Sequence, residues 1–144
     1  MSTVEKINVL EHMRRSKDMY LGREEVVPEY LATLIANDAL TLGVKQVTVT
    51  HCNDWWLISS EDDWLQIENV YGIEDTFHKI LPLVGGGLES MRREIFLTAY
   101  ASAVFTRKDD KLLQIVGSVE ANDHQLADCL KMIPKGNRIV GFKL

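Results

Sequence analysis

The chain has 144 residues, 46% hydrophobic and 26% charged, enough for one domain, residues 1–144, with its own core. A formal net charge of −5 argues against non-specific nucleic-acid binding, which needs a basic face to displace counterions from phosphates. Neither a bilayer-spanning apolar run nor a signal peptide is expected, because Met1 to Leu10 lack an apolar stretch behind a basic start.

In chain order, Val4 to Arg15 carries apolar residues near helical spacing. Gly22 ends the unit that follows it. The stretch from Glu24 to Gly43 reads as a long helix, with Val27, Tyr30, Leu31, Leu34, Ile35 and Leu40 on a broad apolar face and Gly43 as its cap. Lys45–Cys52 alternates like a half-buried strand. A turn at Asn53–Asp54 leads to a second strand, so the pair predicts a hairpin. Glu61 to Asp75 is acidic, with a turn at Gly72. A short helix follows and breaks near Pro82. Three glycines, Gly85 to Gly87, then lead into a predicted helix from about Leu88 to Ala103. Ala103 to Ala121 predicts a second hairpin turning at Lys108–Lys111. Asn122 or Asp123 caps a last helix, and Asn137–Leu144 is the closing strand. This order predicts an α+β fold with helices packed on one face of a sheet.

Few of the chemistry-bearing residues assemble into a site. His51 and Cys52 are adjacent on a strand and point to opposite faces, so they do not make a nucleophile–base pair. His12, His78 and His124 show no metal-ligand spacing. Cys52 and Cys129 lie far apart with no CxxC spacing and are expected as two reduced, partly buried thiols, with a cytoplasmic location as the default. Glu61, Asp62 and Asp63 lack the alternating spacing of a calcium loop, so no metal site is expected. With Trp55, Trp64 and Glu68 they suggest a protein-contact surface instead. Tryptophan is enriched at interface hot spots, and carboxylates steer a basic partner.

Several phrases, taken in order, resemble one family. Val9–Gly22, "VLEHMRRSKDMYLG", is similar to the opening of the gyrase B ATPase domain, where a like phrase ends in Met-Tyr-Ile-Gly. Tyr30–Thr50 resembles that domain's second helix and following strand. Trp55–Glu68 resembles the next strand and its Asp-Asp-Gly-Arg-Gly-Ile-Pro loop. "VGGGLESMRREIF" resembles the glycine-rich end of the lid, and "PKGNRIVGFKL" the closing strand. The family is the GHKL ATPases, which bind nucleotide in a Bergerat-type α/β sandwich.

The resemblance implies a two-layer sandwich with a mixed, mainly antiparallel sheet and helices on one face. It also implies a vestigial nucleotide site at Asn37, Asp62, Gly86, Gly87 and Asn137. Departures from the family's pattern are specific. The general-base glutamate position falls on Thr33, which cannot take a proton from water as a carboxylate does. The loop glycines fall on Trp64 and Gln66, and the later lid residues on Glu89, Ser90 and Arg92. No catalytic residue and no cofactor are therefore expected. The resulting expectation is a non-catalytic protein-binding module, in its most specific form a bacterial immunity or antitoxin protein that neutralises a toxin domain. Two alternatives stay open: a divergent domain that still binds ATP and magnesium, and a regulatory partner of a gyrase-type ATPase.

Overall fold

Two tight hairpins and a late central strand make the sheet. In this computed structural model the described residues are 8–67, 69–88, 90–119 and 123–144. Strands β1 (Thr48–Cys52) and β2 (Trp55–Ser60) turn through Asn53 at φ 56°. Strands β3 (Ala103–Lys108) and β4 (Lys111–Val116) turn through Asp109 at φ 54°. Asn and Asp tolerate this left-handed region because their short polar side chains bond locally. Strand β5 (Arg138–Lys143) comes last in sequence and lies between the hairpins, giving the order β1-β2-β5-β3-β4. Every pairing among the described strands is antiparallel, not mixed.

At the sheet's centre, Gly141 sits opposite both Leu57 and Phe105. A Cβ there would lie 2.3 Å from Phe105 Cε1, so the bare backbone is what lets that ring lie flat across β5.

The helices follow capping rules. Asn8 caps α1 (Val9–Arg15) by accepting the N–H groups of Leu10 and Glu11 at 3.1 and 3.3 Å. Helix α2 (Lys17–Leu21) stops at Gly22, φ 72°. Helix α3 (Pro28–Thr41) starts later than expected because Pro28 suits the first helical turn, where no N–H is needed. Helices α4 (Ile73–His78) and α5 (Glu94–Tyr100) are short. In α6 (His124–Leu130), Asp123 accepts the N–H of Leu126 at 2.9 Å. The other cap candidate, Asn122, and the predicted helix start at Val4 lie outside the described residues.

Helices α1 to α5 cover one sheet face, packing Met13, Leu31, Ile35, Phe77 and Ile95 against Ile58, Val140 and Phe142. The expectation of helices on one face only is overturned by α6. The second face of the sheet is also apolar at Trp55, Leu57, Phe105 and Ile139, and Leu126, Cys129 and Ile133 close over it. The two cysteines, expected as reduced thiols, form a disulfide instead. Cys52 ends β1 on the α6 side, and the buried face of α6 brings Cys129 to it across 77 positions of sequence. Among the described residues, no helix is long and apolar enough to cross a membrane.

Candidate functional site

The glycine run does not open a helix. Leu83 N–H donates to Ser90 C=O at 2.9 Å, and Arg92 N–H donates to Leu81 C=O at 2.8 Å. These bonds bridge Pro82 to Met91, and the glycines form the turn between them. Gly85 and Gly87 take φ 86° and 104°, and a Cβ on Gly86 would sit 2.9 Å from both Leu83 and Ser90. Ser90 Oγ donates to Gly86 C=O and locks the turn. The glycines are therefore required by their own packing. The helix begins only at Glu94, because Arg92 is held in the bridge and Arg93 is held by α3.

That second tie is a buried carboxylate. Asp38 on α3 is fully buried and accepts Arg93 N–H at 2.7 Å and Arg93 Nε at 2.9 Å. Nearby, Arg92 Nη2 donates to Glu94 Oε1 at 3.1 Å and to the carbonyl of Trp64 at 3.2 Å. Burial raises both Asp38 and Glu94 above the ordinary carboxylate range, and the arginines offset only part of that. Trp64 is itself 0% exposed. Between the end of α3, the Ile67–Tyr71 segment and the Leu81–Val84 arm, the remaining cavity is about 40 Å³. Arg92 lines it, and its Nε has no partner among the described residues. The space suits one buried water.

The acidic loop divides into two kinds of carboxylate. Asp63 turns inward and takes both oxygens to Arg138, at 2.8 and 2.9 Å, with Lys108 at 3.5 Å. Arg138 also donates to Thr106 Oγ1 at 3.2 Å. Burial pushes Asp63 up, yet Arg138 and Lys108 together outweigh it and hold it below the usual carboxylate range. Glu61 and Asp62 are exposed. They line a groove of about 530 Å³ with Thr48 and Thr50 of β1 and Met132 and Asn137 after α6. Met132 is 60% exposed and, with Ile133 and Pro134, gives the groove its apolar side. Asp62 N–H bonds to Ser60 Oγ at 3.1 Å, which fixes the loop as it leaves β2.

The predicted residues thus separate. Asp62 and Asn137 share this groove, on the α6 side of the sheet. Asn37 is exposed on α3, and Gly86 and Gly87 belong to the bridge turn, both on the opposite side. Thr33 Oγ1 donates to Glu29 C=O at 2.8 Å, within its own helix. The protein-contact reading needs correction at three positions. Trp55 and Trp64 are 2% and 0% exposed and belong to the two cores, so they present no aromatic surface. Asp63 is committed internally. Glu68 and Glu89 lie outside the described residues. The residues missed from sequence are Asp38, Arg92, Arg93 and Glu94. Their only sequence signal was a charged position on the apolar face of a predicted helix.

Comparison with protein-family models, with curated proteins and with solved structures finds no match.

Proposed function

We propose that the chain is a non-catalytic protein-binding module built on a GHKL-like scaffold from which the nucleotide site has been lost. The observation that carries this reading is that the residues assigned to a nucleotide do not converge on one site. Asp62 and Asn137 line a groove on the α6 side of the sheet, whereas Asn37, Gly86 and Gly87 lie on the opposite side. Element order is consistent with the scaffold: α3, a hairpin, the acidic loop, α5, a hairpin and β5 follow the sequence parallels in turn.

A protein partner is the remaining role for such a scaffold. Glu61 and Asp62 stand exposed beside Met132, a combination that steers and then anchors a basic partner. In its most specific form the protein is an immunity-type inhibitor that blocks a toxin domain. The test is a binding screen against purified toxin domains. A partner of sub-micromolar affinity that is lost on Glu61→Lys/Asp62→Lys supports the reading; a screen without one counts against it.

The cystine bears on location. Cytosolic thiols are kept reduced, so a protein that works with Cys52–Cys129 closed belongs in an oxidising compartment. The cytoplasmic reading requires the opposite state. Thiol titration of denatured protein, purified without reductant from its native cells, separates them: no free thiol for the first, two for the second.

A further inference from the structure

One tryptophan of the three does reach the surface. Trp56 lies on β2 facing the α3 side of the sheet, opposite His51 of β1. The two rings stack with centroids 4.0 Å apart and planes 7° from parallel. The pair borders an open hollow of about 370 Å³, with Pro28 and Glu29 at the start of α3 and Asp54 in the hairpin turn. Glu29, His51 and Asp54 are exposed, and Trp56 is half-buried.

The charges of this hollow are unspent. Neither Glu29 nor Asp54 forms an ion pair among the described residues. Lys143 also borders the hollow, but its Nζ lies 5.2 Å from the ring of Trp55, on the other face of the sheet. The hollow is therefore bordered by the His51–Trp56 stack and by two carboxylates without ion pairs among the described residues.

We propose that this hollow receives an arginine side chain of a basic partner protein, stacked on Trp56 and paired with Glu29 or Asp54. The inference rests on the protein-binding reading and names the contact chemistry. A guanidinium is planar, stacks on aromatic faces and forks onto carboxylates, so it uses both features at once. Phosphate-bearing ligands are disfavoured here by the same carboxylates and by the net charge of −5. A lysine has no plane to stack.

The test is a titration of ¹⁵N-labelled protein with N-acetyl-arginine amide and, separately, with its uncharged citrulline analogue. The expected result is a shift of the Trp56 indole N–H that leaves the Trp55 and Trp64 indoles still. Citrulline should bind about fivefold more weakly, equivalent to about 1 kcal/mol. The surface double variant Glu29→Gln/Asp54→Asn should narrow the difference between the two probes, leaving the part due to stacking on the ring. An unmoved Trp56 indole, or equal response to citrulline, overturns the proposal. Failure of the wider reading looks different: the toxin screen finds no partner while arginine still moves Trp56. A partner that binds Trp56→Ala as tightly as the parent places the contact elsewhere and also overturns the proposal.

Discussion

Asp62 and Asp63 are neighbours with opposite duties. Asp63 holds the buried guanidinium of Arg138 by two bonds and reaches Lys108 as well. Asp63→Ala leaves that guanidinium buried without its counter-charge and should cost about 3 kcal/mol in urea unfolding. Asp62→Ala, on the surface, should stay within about 0.5 kcal/mol. The two carboxylate environments also act in opposite senses with pH. Asp63 is depressed, so its contribution is present above the unfolded value of about 4 and is lost as pH falls through its folded value. Asp38 and Glu94 are raised, so the folded state holds their protons longer than the unfolded chain does. Stability from those two falls as pH rises from about 4 through their folded values. Glu94→Gln should therefore flatten the decline of melting temperature with pH above about 4; an unchanged slope would refute its part in it. None of this was legible locally. Glu61-Asp62-Asp63 reads as three equal carboxylates, and what distinguishes Asp63 is an arginine 75 positions later.

Among the elements, the strands and hairpin turns were the most legible, because alternation and turn chemistry are local signals. Both turns fell where Asn53 and Asp109 were available for positive φ. Helix starts were less so. Leu88 to Arg93 is compatible with helix by composition, but the Leu81–Arg92 bridge and the Asp38–Arg93 tie win over that propensity. The position of α6 was illegible for the same reason as the cystine: both depend on which sheet face remains uncovered. The cystine closes a long loop across 77 positions, and the chain-entropy estimate gives it about 4–5 kcal/mol. Cys52→Ala/Cys129→Ala should lower stability toward that amount and loosen α6 first. Hydrogen exchange at Leu126 to Leu130 checks this, and protection equal to the parent's would contradict it. At the sheet's centre, Gly141→Ala drives a methyl into Phe105 and should cost about 1–3 kcal/mol by thermal unfolding.

At the scale of the molecule, the sheet carries a core on each face. The α+β class follows from element order alone. The buried ion pairs do not, since Asp38, Arg93, Arg92 and Glu94 are brought together only by the packing of α3 against α5. The aromatic surface expected at Trp55 and Trp64 is absent because pleating sends Trp55 to the α6 side, where it is buried, and leaves Trp56 half-buried on the α3 side beside His51. The proposed function requires that this chain binds no nucleotide. Isothermal titration with ATP and magnesium, at protein concentrations that detect a dissociation constant of about 1 mM, tests it most directly. No heat of binding and no thermal shift are expected. Saturable one-to-one binding, weakened by Asp62→Asn or by Asn37→Ala, would contradict it.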